Sequence, residues 1–271
     1  MIKNLDKEGL RTIALGYDLF FIDIWGVIHN GLKLNSSAIE VLEFLNHHKK
    51  EFVLLTNAPR PNLSVIKFLK NLGLKNFHSN VFTSGEASLM YLNTHLQNRK
   101  FYHIGPPKDF DLFSSFQNLK EDNLDLADYI LCTGLFKDNE KNLDYYKSLL
   151  KKYLMKKMIC TNPDLIIDRG EVREYCAGSV AKVFENLKGE VIYFGKPYPP
   201  VYELAANIKN KKVLCIGDNL NTDIKGANIQ NFDALLIKGG IHRQEISNEK
   251  IDELIKSYNV KLEFVQTVLK W

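Results

Sequence analysis

The chain has 271 residues, 45% of them hydrophobic and 25% charged, an ordinary globular composition with apolar material for one large domain or two smaller ones. Its net charge of +4 suits an anionic ligand, but with no basic block it argues against nucleic acid, and no apolar run is long enough to span a bilayer. The four cysteines, Cys132, Cys160, Cys176 and Cys215, form no CxxC pair and suit a reducing compartment; the first apolar run follows a charged start and ends in Asp23, unlike a signal peptide, so the expected location is the cytoplasm.

In chain order, strand and helix signals alternate. Tyr17 to Ile22 is a short apolar run ending on Asp23, and Gly26 to Gly31 is turn-rich. Asn35-Ser36-Ser37 offers caps for a helix with Ile39, Leu42 and Leu45 inward. Phe52 to Leu55 reads as the next strand and ends on Thr56-Asn57. Pro59 and Pro61 open a second helix, which turns Val65, Phe68, Leu69 and Leu72 inward and closes at Gly73. Val81-Phe82-Thr83 reads as a strand, and a helix follows from Gly85 to Leu96.

From Lys100 to Glu190 the pattern is that of a separate α/β unit. Phe101 to Gly105, Tyr129 to Cys132 and Met158 to Cys160 are strand-like, while Leu143, Tyr146, Leu149, Leu150 and Tyr153 have helical spacing, as do Val180, Val183, Phe184 and Leu187. This stretch separates Thr56 from Lys196, so it reads as an insertion into the first fold, placed to act as a lid. Val191 to Phe194 then resumes the first fold as a strand ending on Gly195-Lys196-Pro197. Pro199 and Pro200 start a helix with Val201, Leu204 and Ile208 on one side. Lys212 to Ile216 ends on Gly217-Asp218; a helix near Asp223, a strand from Asp233 to Ile237 and a helix near Ile251 to Leu254 complete the chain. The expected fold class is α/β, with residues 1–98 and 191–271 forming a parallel-sheet core and 99–190 an inserted α/β cap.

Short apolar runs bounded by turn residues read as buried strands of a parallel sheet, and in open α/β sheets ligands bind outside the carboxyl ends of the strands. Asp23, Thr56, Lys196 and Asp218 are therefore expected to converge on one site. Two carboxylates, a hydroxyl and an ammonium suit a metal-assisted site for an anion. A phosphate ester and a carboxylate repel each other, and Mg²⁺, bound by oxygen ligands, removes that repulsion. Asp23 and Asp218 are suitable ligands, the Thr56 hydroxyl and the N–H groups at the next helix start can hold phosphate oxygens, and Asp223 is placed to orient Lys196 or hydrate the metal. Asp23 can then attack phosphorus in line.

These residues carry a resemblance. Phe21-Ile22-Asp23-Ile24-Trp25-Gly26-Val27-Ile28, Leu55-Thr56-Asn57, Gly195-Lys196-Pro197 and Gly217-Asp218-Asn219-Leu220-Asn221-Thr222-Asp223-Ile224 resemble the four motifs of the haloacid dehalogenase (HAD) superfamily. They look most like its class IIA branch, the NagD-type and p-nitrophenyl-phosphatase-like sugar phosphatases, in which a cap lies between the second and third motifs. The resemblance covers nearly the whole chain and implies a Rossmann-like core. It makes Asp23 the nucleophile and a metal ligand, the Trp25 carbonyl a second ligand and Asp218 a third, with Asp223 in support. Thr56, Asn57 and Lys196 would hold the phosphate of a small metabolite, Mg²⁺ would be the cofactor, and the cap could pair two chains as a homodimer.

One position departs from that pattern. The branch usually carries a second aspartate two residues after the nucleophile, acting as general acid and then base; here it is Trp25. General acid–base help is typically worth about 10²–10⁴-fold. Three readings follow: substrates with good leaving groups such as acyl or anomeric phosphates, a proton from another group such as His29 or the cap, or a phospholigand-binding or regulatory protein with little turnover. Retained hydrolysis is favoured because the other polar site residues are all present. A dehalogenase would use an Asp nucleophile without the metal, against which Asp218 argues. Taken singly, several residues have plainer explanations. Thr56 is a capping hydroxyl, Asp223 a helix-start acid, Trp25 packing and His29 a surface-loop histidine. Arg173, Tyr175, Cys176 and Gly178 read as a solvated loop before a helix, although an arginine there can grip an anion. The other histidines show no metal spacing and read as structural or exposed.

Overall fold

The computed structural model describes residues 2–169, 172–248 and 250–271. The chain forms strands β1 (Lys3–Asn4), β2 (Leu19–Asp23), β3 (Glu51–Thr56) and β4 (Val81–Thr83), then β5 (Phe101–Ile104), β6 (Lys120–Glu121), β7 (Tyr129–Cys132), β8 (Lys157–Cys160), β9 (Ile166–Arg169), β10 (Val172–Tyr175) and β11 (Val191–Tyr193). It closes with β12 (Val213–Gly217), β13 (Asp233–Ile237) and β14 (Phe264–Gln266). Two compact units result. Met1–Thr56, Ile66–Phe82 and Lys196–Trp271 make the first, and Asn57–Val65 with Thr83–Gly195 the second. No helix among the described residues is long and apolar enough to cross a membrane.

The first unit is built on a seven-stranded sheet in the order β1-β14-β13-β12-β2-β3-β4. Every residue of β2 and β12 is buried, as continuous apolar runs in a two-sided parallel sheet require. The register sets Asp23 opposite Leu55 and Ile22 opposite Ile216. Asp23, Thr56 and Asp218 therefore leave three adjacent strands at the same edge, the carboxyl end. The helix Ser36–His47 buries Ala38, Val41, Leu42 and Leu45, and the helix Asn62–Asn71 is followed by Gly73 at φ +101°. The helix Pro199–Ala205 corrects an expectation. It buries Val201 and Tyr202, while Leu204 is 40% exposed and Ile208 lies beyond its end. Seven residues are too few for the expected stripe, and the Tyr202 ring instead fills the inner side against Phe21 at 5.2 Å.

The second unit has its own parallel five-stranded sheet, in the order β11-β8-β7-β5-β6. Its core gathers Ile104, Ile130, Tyr146, Met158, Val180 and Phe184, with the helices Leu143–Leu150 and Ala177–Asn186 supplying Tyr146, Val180 and Phe184. Here β11 is a correction. It was expected in the sheet that carries Asp23, yet it pairs with β8, Val191 opposite Met158 and Tyr193 opposite Cys160. A run of three half-buried apolar residues specifies a strand but not which sheet it joins. Lys196, three positions after the end of β11, begins the last segment of the first unit. The helix Ser84–His95 also belongs to the second unit, where Ser84 Oγ donates to the Ala58 and Thr161 carbonyls at 3.0 and 2.6 Å. Arg173 and Tyr175 lie in β10 rather than in a loop, paired antiparallel with β9. Two β-prone runs flanking Gly170 carried that hairpin signal; Gly170 and Glu171 themselves lie outside the described residues.

Candidate active site

The carboxyl end of the first sheet concentrates charge. Asp23, Lys196, Asp218 and Asp223 are all buried there. Lys196 Nζ donates to Asp23 Oδ1, to Asp223 Oδ1 at 2.6 Å and to the Leu55 carbonyl at 3.0 Å. Asp223 arrives on a π-helical turn, Leu220–Ile224, which brings it back toward Asp218; its second oxygen accepts the Asn219 N–H at 3.1 Å. Asp218 Oδ2 accepts the Ile241 N–H at 2.9 Å. The backbone approaches this carboxylate from two sides, because a Cβ at Gly26 (φ +88°) or at Gly240 would collide with it. Glycine at these two positions is what lets Asp218 sit in the strand-end crevice.

Carboxylate oxygens of Asp23, Asp218 and Asp223 lie within 4.8 Å of one another. Three carboxylates beside one ammonium leave an excess of two negative charges if all are ionised. Burial pushes Asp23 well above the usual carboxylate range; Lys196 pulls it down, and the charges of Asp223 and Asp218 push it up again. For Lys196, burial favours the neutral amine, but Asp223 and Asp23 outweigh it and hold the ammonium above its usual range. An all-oxygen, over-negative, buried pocket fits a hard divalent cation. Among the described residues it is the group of acidic, histidine or cysteine side chains with that spacing.

Thr56 is buried one residue beyond Leu55, the register partner of Asp23. Asn57 belongs to the second unit, where its amide Nδ2 donates to Asp164 Oδ1 at 3.0 Å. Trp25 is half-buried, its ring 4.9 Å from that of His29 and placed where a Cβ at Gly31 would press on it. His29 is a correction: it is buried, packed also on Phe68 at 5.3 Å. Its Nδ1 accepts the Gly31 N–H at 2.8 Å, and burial pushes its pKa down to about 4. A neutral ring with that acceptor already used is no acid at neutral pH. Burial likewise pushes the Cys176 thiol well up, which removes it as a thiolate nucleophile.

Sequence reasoning missed the Gly240-Ile241-His242 segment, whose Ile241 N–H holds Asp218. A Gly-Gly pair just after a strand marked a loop there, but no spacing rule connects it to Asp218.

Comparison with known proteins bears on the family and the fold. A family described as haloacid dehalogenase-like hydrolase matches residues 20–117, and one described as HAD-hydrolase-like matches residues 193–259. The crystal structure of a hydrolase of the haloacid dehalogenase-like family from Brucella suis superposes with a TM-score of 0.79 at 31% identity, over 87% of this chain and 94% of that one. A 4-nitrophenylphosphatase from Thermotoga maritima shares the fold, with a TM-score of 0.73 at 22% identity, over 95% and 96% of the two chains. An acid sugar phosphatase from Staphylococcus haemolyticus is 24% identical over 243 residues, 86% of this chain and 90% of its own.

Proposed function

Because the chain belongs to the haloacid dehalogenase-like hydrolases, we propose that it is a Mg²⁺-dependent phosphatase of small, sugar-like phosphorylated metabolites, working through an aspartyl-phosphate on Asp23. Its likeness to class IIA phosphatases supports the substrate class. The observation that carries the reading is the cluster at the sheet edge, where carboxylate oxygens of Asp23, Asp218 and Asp223 lie within 4.8 Å of one another beside the Lys196 ammonium.

In this reading an Asp23 carboxylate oxygen attacks phosphorus in line. The bond from phosphorus to the leaving oxygen breaks, and its electron pair departs with that oxygen. Water then attacks phosphorus, the bond from phosphorus to the Asp23 oxygen breaks with its electron pair returning to the carboxylate, and inorganic phosphate leaves with the protons of the water shared between it and solvent. Lys196, its ammonium fixed by Asp223 and the Leu55 carbonyl, holds positive charge beside Asp23 and the incoming phosphate. The Thr56 hydroxyl binds a phosphate oxygen. Bound Mg²⁺ supplies the remaining neutralisation, and Asp23, the Trp25 carbonyl and Asp218 would hold it.

Trp25 decides the leaving group. An indole gives no useful proton to an alkoxide, and the neutral, packed His29 does not replace it. Leaving groups that need little protonation, such as acyl or anomeric phosphates, are favoured. The test is phosphate release from a panel of phosphorylated metabolites, with Mg²⁺ and with EDTA, using Asp23→Asn as the blank. Mg²⁺-dependent release lost in the variant supports the reading. EDTA-insensitive turnover of haloacids would point to a dehalogenase, and no release from any substrate to a phospholigand-binding protein.

A further inference from the structure

We propose that His242 is a positioning residue for the Asp218 carboxylate, acting through a closed ring of hydrogen bonds that sets the affinity of the site for its cation; this rests on the metal-dependent reading above. His242 is buried, and the Leu220 N–H donates to its Nε2 at 3.2 Å. Leu220 is fully buried and lies two residues after Asp218. The residue before His242, Ile241, donates its own N–H to Asp218 Oδ2 at 2.9 Å. The path from Asp218 through Asn219 to Leu220, across to the His242 ring, back along the chain to Ile241 and across to Asp218 is therefore closed. The His242 ring ties the Leu220 end of the loop that presents the carboxylate, and the backbone of the preceding residue ties the Asp218 end.

The ring's protonation follows from its partners. An imidazole nitrogen that accepts a backbone N–H carries no proton, so the proton of neutral His242 sits on Nδ1. Nδ1 faces Glu245 Oε1 at 3.1 Å and the Tyr258 hydroxyl at 3.4 Å, and Tyr258 donates to Glu245 Oε2 at 2.8 Å. Glu245 and Tyr258, from the helices Arg243–Asn248 and Ile251–Tyr258, thus select the tautomer that leaves Nε2 as an acceptor. The arrangement resembles, one shell further out, the carboxylate–histidine pairs that orient metal ligands directly. Without the His242 ring the buried Leu220 N–H loses its acceptor, and the segment that carries the Ile241 N–H keeps its backbone bond from Gly239 to Thr267 but loses its tie to the Asp218 loop, so the donor to Asp218 is held less firmly. Lost outer partners of metal ligands typically weaken metal affinity about 10–100-fold.

The experiment is calorimetric titration of the metal-free full chain with Mg²⁺, beside thermal melts and steady-state kinetics. His242→Ala is expected to weaken Mg²⁺ binding about 10-fold. His242→Gln, whose amide oxygen can take the Leu220 N–H, is expected to recover most of it, and kcat at saturating Mg²⁺ should fall less than the affinity does. Glu245→Gln keeps the ring and should weaken binding in the same direction by a smaller factor, which covers a His242→Ala chain that fails to fold. A lowered Tm with unchanged Mg²⁺ affinity in His242→Ala, or unchanged affinity in Glu245→Gln where the first variant does not fold, would overturn the proposal. Asp218→Asn separates the two readings. If the wild type binds Mg²⁺ and Asp218→Asn does not, an indifferent His242 variant sinks this inference alone; a wild type that takes up no Mg²⁺ sinks both.

Discussion

Both units are built on parallel sheets, yet their carboxyl ends differ in charge. The first sheet ends in Asp23, Thr56 and Asp218, with Lys196 and Asp223 folded in beside them. In the second, the residues that follow β5, β7 and β8 are Gly105, Thr133 and Thr161. The buried carboxylate there, Asp109, takes Arg60 Nε at 3.1 Å and the Thr133 hydroxyl at 3.1 Å, and Thr133 is backed by His103 Nε2 at 2.9 Å. One acid faces one guanidinium in the second unit, whereas three acids face one ammonium in the first. Structural ion pairs balance, because an unpaired buried charge costs several kcal/mol. A buried cluster of three carboxylates within 4.8 Å of one another is the kind of place where a bound cation supplies charge.

That contrast can be broken by substitution. The largest effect is expected from Asp23→Asn, which should lower turnover by roughly 10⁴–10⁶-fold with the fold intact, checked by phosphate release and circular dichroism. Next comes Trp25→Asp. Alkyl phosphate hydrolysis should rise by about 10²–10⁴-fold while aryl phosphates, which leave without protonation, gain far less; an equal gain on both would show that proton supply is not what limits the rate. Lys196→Met strips the Lys196 ammonium from Asp23 and Asp223 and should cost about 3–5 kcal/mol in urea unfolding. Arg60→Ala, in the balanced cluster, should cost about 1–3 kcal/mol, since Asp109 keeps the Thr133 hydroxyl.

The smallest expected effect is a pH dependence. The folded chain raises the pKa of Asp23 above its unfolded value, burial being the main cause. A raised carboxylate contributes stability that is full below the unfolded pKa, about 3.9, and is lost as pH climbs through the folded value. The metal-free protein should therefore lose stability relative to Asp23→Asn as pH rises from about 4 toward neutrality, and Mg²⁺ should restore it. His29 and His103, each lowered to about 4 by burial, act oppositely, losing their contribution as pH falls from about 6.5. They are present in both chains, so the difference between the two melting curves isolates Asp23.

Much of this site is legible in the sequence because a strand buried on both faces writes itself as an apolar run, and the residue at its end is where chemistry sits. Asp23, Thr56 and Asp218 follow from that rule, and Asp223 from the turn after Asp218. Lys196 was legible as a site residue while its strand was assigned to the wrong sheet, since three apolar residues do not name their partner. The burial of His29 was hidden because its cover comes from Phe68, in the helix Asn62–Asn71, 39 positions further along the chain. The role of the segment around Ile241 left no trace at all. A backbone N–H has no side-chain identity, and its bond to Asp218 spans 23 positions.

The central claim is that Asp23 is the nucleophile of a cation-assisted cluster, and it is tested most directly by acid-quenching the enzyme during turnover of an aryl phosphate with Mg²⁺ and mapping its peptides by mass spectrometry. The account predicts one added phosphoryl group on the peptide containing Asp23, absent in EDTA and absent in Asp23→Asn. Full turnover with Asp23 unmodified, persisting in Asp23→Asn, would contradict it.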